Sequence, residues 1–180
     1  MRVSAADRRR GIGGGYPGSG RTRLARIGEP SGVLSVRGKV PFVPKLAELK
    51  VGDAAPPLVI ENLTRTHFVK YAGASGDFNP MHHDDTIAAL VGNPSVFGHG
   101  MLTAGLMARV VKDWFGPEAM RKFNVRFAKQ VWPGESLTFT AVVTGVDDDG
   151  DEGLVELELS AKNADGEEKL AGTATALVAK

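Results

Sequence analysis

Asp77 and His82 stand five residues apart in "GDFNPMH", on either side of the Asn79-Pro80 step. A carboxylate and a neutral imidazole that share one water are the parts needed to add water to an activated carbon chain, or to remove it. Asn79 precedes a proline and is therefore pushed toward extended backbone. Pro80 suits the first position of a helix, where its missing N–H costs nothing. The corner this makes can turn Asp77 and His82 to one side. With Pro80 opening a helix, His82 falls in the first turn, whose locally positive end disfavours imidazolium and keeps the base neutral. His83, Asp84 and Asp85 then read as a solvated first turn, where acids suit the helix dipole.

Removing a proton beside a thioester carbonyl also requires a place for negative charge. "FGHGMLTAG" supplies a candidate. Gly100 lies where the longest helix begins, has no side chain to block approach, and offers a backbone N–H to an enolate-like oxygen. His99 reads as a residue that caps or orients this loop. Of the chain's four histidines, His82, His83 and His99 gather in this region. A metal site built from His82, His83, Asp84 and His99 is disfavoured, because adjacent histidines point to different helix faces, and no metal is expected.

These residues need a frame. "APPLVIENL" reads as a first strand, and Thr64 caps a helix over "RTHFVKYAGASG", with Phe68, Val69, Tyr71 and Ala72 as its apolar side and Gly73 and Gly76 ending it. "PMHHDDTIAALVG" restarts a short helix and "GNPS" is a turn. "HGMLTAGLMARVVKDWFG" is the longest helix, with Leu102, Leu106, Val110 and Trp114 at helical spacing and a stripe of small residues at Gly100, Ala104 and Ala108. After Gly116 the period falls to two. "KFNVRFAKQV", "ESLTFTAVVTGV", "LVELELSAKN" and "EKLAGTATALVA" are strands, with turns at "DDDGDEG" and "NADGEE". The pattern is α+β: a meander of strands, about five in all, forming one curled antiparallel sheet around the long helix.

The chain carries a formal charge of +1, but residues 1–40 hold nine Lys/Arg against two acids, a net +7, which leaves −6 for the rest. That front segment is rich in Gly, Arg and Ser and poor in apolar residues, and it is read as a flexible tail dispensable for catalysis. Residues 41–180 are read as the folded domain. Gly13–Gly18 formally matches a dinucleotide fingerprint and "GYPGSGRT" a phosphate loop, but neither has the preceding strand that such loops require. Glycines break every amphipathic turn that a targeting helix would need. The basic tail has no aromatic interleaving, so no nucleic-acid partner is expected. There is no cysteine, which excludes disulfides, thiol catalysis and thiolate zinc sites and fits a reducing compartment. No run reaches the roughly 18 apolar residues needed to span a bilayer, so the expectation is a cytoplasmic protein.

"YAGASGDFNPMHHDDTIAA" resembles the hydratase motif of the MaoC-like (R)-specific enoyl-thioester hydratases, whose core is G-D-x-N-P-x-H. "HGMLTAG" and "FNVRFAKQVWPGESL" resemble that family's later segments, and the likeness runs over residues 45–180. Among relatives, the chain resembles the catalytic B subunit of mycobacterial-type (3R)-hydroxyacyl-carrier-protein dehydratases. The resemblance implies a hot-dog fold and a dimer, of two copies or with a related subunit, with the pantetheine arm entering near the interface. It implies Asp77 and His82 as the catalytic pair, Asn79 and Pro80 as the corner, and Gly100 as oxyanion donor. Some relatives place a serine one or two turns after "HGM", where this chain has Ala104 and Ala108. The implied reaction is reversible dehydration of (3R)-3-hydroxyacyl thioesters to trans-2-enoyl thioesters in fatty-acid metabolism. Coenzyme A or acyl-carrier protein enters as part of the substrate, and no cofactor is needed. The alternatives are a hot-dog acyl thioesterase and a non-catalytic subunit of a dehydratase heterodimer.

Overall fold

A computed structural model describes residues 43–148 and 152–180. The reading of residues 1–40 as a tail, and the middle of the "DDDGDEG" turn, lie outside the described residues. A short 3-10 turn at Leu46–Glu48 leads to β1 (Leu58–Ile60), α1 (Arg65–Ser75), a 3-10 turn at Pro80–His82, α2 (Asp85–Leu90) and α3 (Gly100–Phe115). The strands β2 (Met120–Phe127), β3 (Leu137–Asp147), β4 (Glu152–Asn163) and β5 (Glu168–Ala179) follow. They form one antiparallel sheet in the order β1-β3-β4-β5-β2.

Only β3, β4 and β5 make the expected meander. β2 lies at the far edge beside β5, with Asn124 opposite Thr173 and Phe127 opposite Leu170. The physical reason is the connection Ala128–Ser136, which is too long and too irregular for a tight hairpin and crosses from one side of the sheet to the other. β4 and β5 join through a tight turn in which Gly166 takes φ +79° and donates its N–H to Asn163 O (3.0 Å), a conformation glycine adopts without a Cβ penalty.

Alternation decides which side of the sheet is apolar. Leu137, Phe139, Ala141 and Val143 of β3 are buried, as are Val155, Leu157 and Leu159 of β4 and Ala174, Ala176 and Val178 of β5. They pack on one face of α3, whose buried residues are Thr103, Ala104, Met107, Val110, Val111 and Phe115. This is the hot-dog arrangement, a curled sheet around one central helix. The expected stripe was one residue off. Val110 is in the core, while Leu102, Leu106 and Trp114 flank it only partly buried. The helix is apolar on most sides, so its period alone does not choose the inward face. In α1, Phe68 and Ala72 are buried as expected, but Val69 is exposed. Gly76 alone ends α1, at φ +75°, with its N–H on Ala72 O, and Gly73 sits inside the helix.

Two glycines respond oppositely to a methyl group. A Cβ on Gly172 would lie 2.4 Å from the main-chain oxygen of Asn124, so Gly172→Ala must push β2 away from β5. We expect a loss of about 1–3 kcal/mol, the usual cost of overpacking. A Cβ on Gly105, inside α3 and exposed, meets nothing within 4 Å. Gly105→Ala should gain about 0.4–1 kcal/mol through the unfolded chain. Urea unfolding of both variants checks the pair.

Candidate functional site

The Asn-Pro corner is built from short hydrogen bonds. Asp77 Oδ1 accepts the Asn79 N–H (3.2 Å), and Asn79 Oδ1 accepts the Met81 N–H (3.1 Å). Pro80 opens a single 3-10 turn that ends at His82. The expected continuous helix is therefore two pieces. Asp84 ends the first and begins the second: its side chain accepts the N–H groups of Thr86 (2.8 Å) and Ile87 (3.4 Å), capping α2. Asp85 is likewise not merely solvated. It forms a two-pronged ion pair with Arg65 (2.6 and 2.9 Å) and accepts the Val96 N–H (3.2 Å), which ties α2 to α1 and to the loop before α3. The Arg65 guanidinium, with these hydrogen bonds, holds the Asp85 carboxyl below its ordinary range. His83 is exposed, with a ring nitrogen 3.1 Å from Phe78 O, and stays out of the site.

His82 is buried and its orientation is set from one side. Nδ1 lies 2.8 Å from the main-chain oxygen of Phe97. A carbonyl only accepts, so Nδ1 carries the hydrogen and the neutral ring presents Nε2 as a bare lone pair. That nitrogen faces Asp77 Oδ2 at 3.9 Å. The gap exceeds a direct hydrogen bond, and it is short enough for one oxygen atom to touch both groups. Asp77 is half exposed, so the site opens to solvent on its side. Burial pushes the His82 pKa below its ordinary value, followed in order by opposing and assisting effects from the Phe97 carbonyl, His99, Asp77 and His83. The expected direction holds, but its cause is desolvation and not a helix terminus, since His82 closes a three-residue turn.

His99 is the residue behind the pair. It is 1% exposed, and its ring stacks on His82 with centroids 3.8 Å apart and planes 29° apart. Nε2 lies 3.0 Å from the main-chain oxygen of Asp77 and donates to it, while Nδ1 is buried without a partner among the described residues. Tyr71 lies against the same ring (centroids 5.1 Å). Ligand atoms of Asp77, His82 and His99 lie within 4.8 Å of one another. Imidazole lone pairs lie in the ring plane, so two rings stacked face to face aim them side by side. A shared ion at the usual 2.0–2.1 Å from each nitrogen does not fit that arrangement.

Gly100 is the first residue of α3, exposed, and its N–H has no acceptor within the helix. It lines an open cavity of about 350 Å³ together with Thr103, Phe127, Gln130, Lys169 and Leu170. Asp77 and His82 do not line it. The cavity and the pair meet through the Phe97–Gly100 segment: Phe97 orients His82, and both Phe97 and Gly100 form cavity wall. A Cβ on Gly100 would lie 3.0 Å from the ring of Phe127, an exposed side chain on the same cavity wall.

Four residues that line or support this region carry no mark in the sequence. Phe97 acts through its carbonyl, which leaves no side-chain signal. Thr103 lines the cavity one turn after Gly100, next to Ala104. Phe127 and Lys169 come from strands far along the chain, and only sheet closure brings them here.

The sequence model of the MaoC like domain matches residues 53–164. The 3-oxo-4,17-pregnadiene-20-carboxyl-CoA hydratase beta subunit of Mycobacterium tuberculosis is 32% identical over 118 residues, 65% of this chain and 88% of that one. The 3-hydroxyacyl-thioester dehydratase X of the same organism is 38% identical over 88 residues, 49% of this chain and 31% of that one. The chain spans less than a third of the length of the first curated relatives it matches. Among solved structures, the ChsH1-ChsH2 complex from Mycobacterium tuberculosis superposes with a TM-score of 0.63 at 27% identity, over 73% of this chain and 98% of that one. Among the described residues, no helix is long and apolar enough to cross a membrane. A family model that covers most of the sheet and all of the corner, and a relative matched over nearly its whole length, establish that this chain belongs to the MaoC-like domain family.

Proposed function

We propose that this chain hydrates trans-2-enoyl thioesters to (3R)-3-hydroxyacyl thioesters and catalyses the reverse dehydration, within fatty-acid metabolism. The observation that carries the reading is the 3.9 Å gap between Asp77 Oδ2 and a His82 Nε2 held as a bare lone pair. A water in that gap donates one hydrogen bond to each group. As its oxygen bonds to C3, the C2=C3 electron pair moves toward the thioester carbonyl. The developing oxygen charge is met by the Gly100 N–H, a donor typically worth roughly 10²–10³ in rate. The proton released to the pair is delivered to C2 on the same face, so H and OH add syn. Water addition moves no net electrons, so no redox cofactor enters, and coenzyme A or phosphopantetheine belongs to the substrate. Asn79 and Pro80 hold the corner, and His99 steadies both partners through its stack on His82 and its bond to Asp77 O. We assign the chain to the cytoplasm, a reducing location with which a chain without cysteine is compatible.

Crotonyl-CoA absorbance and free thiol, followed in one assay, test the reaction. Loss of the enoyl band without thiol is the expected result. Thiol release indicates a thioesterase. Neither signal over a series of acyl lengths indicates a subunit that needs a catalytic partner.

The active form on this reading is a dimer, of two copies or with a related hot-dog subunit. β2 ends the sheet with a long edge, a liability that partner chains commonly cover. Light scattering at micromolar concentration should give more than one chain per particle, and a stable, active monomer would count against it.

A further inference from the structure

Lys169, near the start of β5, is 2% exposed and lines the cavity beside Gly100. Its ammonium lies against three oxygens: it donates to the main-chain oxygen of Gln130 (3.0 Å) and forms ion pairs with Glu135 Oε1 (2.7 Å) and Glu167 Oε2 (2.6 Å). Burial alone would lower its pKa, but the two carboxylates more than offset that and the net shift is upward. With two carboxylates and a main-chain oxygen around it, the charge of this buried cation is met inside the protein. It acts on the chain around it.

Two of the groups it holds, Gln130 O and Glu135, belong to one segment. Glu135 Oε2 accepts the Trp132 N–H (2.8 Å), and Glu135 Oε1 also accepts from Asn163 Nδ2 (3.0 Å). The main-chain oxygen of Lys169 accepts the N–H groups of Ala128 (3.0 Å) and Lys129 (3.3 Å). The segment Ala128–Glu135 is thus clamped by both the backbone and the side chain of Lys169. A buried ion cluster is a poor source of net stability compared with apolar packing, so its use here asks for another reason. The same segment carries the site loop. Val131 O accepts the Gly98 N–H (2.8 Å), and the Trp132 ring meets the Phe97 ring edge-on at 6.0 Å. Phe97 O in turn receives the His82 Nδ1–H.

We propose that Lys169 is a positioning residue for the hydration site: by clamping Ala128–Glu135 it holds the Phe97–Gly100 loop where the Phe97 carbonyl selects the His82 tautomer and the Gly100 N–H faces the thioester. Its catalytic consequence rests on the hydratase reading, but the structural claim does not.

The test is Lys169→Met in the full chain labelled with ¹⁵N-histidine, read by long-range ¹H–¹⁵N spectra and by crotonyl-CoA hydration. In the parent, His82 should show the Nδ1–H tautomer alone. In the folded variant it should show a mixture of tautomers, with kcat lower by about tenfold or more and KM within about threefold, as misplacement of a reacting group produces. Should Lys169→Met fail to fold, Lys169→Met/Glu135→Gln, which removes the cation together with one of its carboxylates and leaves Glu167 paired with Lys129, takes its place. A folded variant whose His82 keeps the parent tautomer overturns the proposal whatever its rate. So does a tautomer mixture with the parent kcat. A tautomer mixture in a variant of a protein whose parent does not hydrate enoyl thioesters upholds the clamp and removes the hydratase reading.

Discussion

His82→Ala and Asp77→Asn each lower kcat by about 10²–10⁴, the range for a positioned acid or base, while KM changes little. The reason is the shared water in the 3.9 Å gap: His82→Ala deletes one of its two proton acceptors, and Asp77→Asn replaces the other by an amide that is no base. The double variant should cost far less than the product of the single effects, because groups that act as a unit are non-additive. His83→Ala, exposed and facing Phe78 O, should stay near the parent rate. Circular dichroism on each variant separates lost chemistry from a lost corner. Parent turnover in folded His82→Ala and Asp77→Asn would refute the water-sharing account. The same histidine sets the pH response. Burial places its pKa below the ordinary 6.5, so the lone pair is present at and above that pH. The acid limb of kcat/KM should therefore have its midpoint below pH 6.5. The unfolded chain takes up this proton first, so stability also declines as pH drops below 6.5 and does not decline above it. An acid limb with its midpoint above pH 6.5 would show that another group limits the rate.

Gly98→Ala should be the most damaging small change outside the pair. A Cβ at Gly98 would lie 2.9 Å from Phe68 Cε1 and 3.2 Å from Cζ, and Phe68 is fully buried, so its ring has nowhere to turn. The strain falls on the Phe97–Gly100 loop, which carries both the Phe97 carbonyl and Gly100. A displacement near 1 Å there can cost about 10²-fold in rate. Overpacking of about 1–3 kcal/mol accompanies it, or about 2–4 °C in Tm for each kcal/mol in a chain of this size. Gly100→Ala is the informative contrast. Its Cβ meets Phe127, which is 52% exposed and free to swing out, so Tm should hold while turnover suffers from the methyl in the cavity. A Gly98→Ala protein with parent Tm and parent kcat would show that the loop yields more easily than its contacts indicate.

Features whose causes are local can be read directly from the residues. Pro80 after Asn79 dictates a corner, Gly76 dictates the end of α1, and alternation from Met120 onward dictates strands. The motif placed Asp77, His82 and Gly100, and these lie around one loop. What failed locally failed for a stated reason. The Pro80 helix was expected to run through Asp84, but the Asp84 side chain caps a new helix, and the signal was present in an acid followed by Asp85-Thr86-Ile87. Tertiary structure alone decided the rest. The inward face of α3 depends on which side the sheet covers, because Leu102, Leu106 and Trp114 are as apolar as the residues that won. The placement of β2 beside β5 depends on a connection that crosses the sheet. The neutral state of His82 comes from burial among Phe97 and His99 and not from a helix end, and burial is a property of packing. The role of Phe97 rests on a carbonyl every residue possesses, and that of Lys169 on three acceptors gathered from Gln130, Glu135 and Glu167. Such contacts join residues far apart in the chain, and only the closed fold brings them within hydrogen-bond reach.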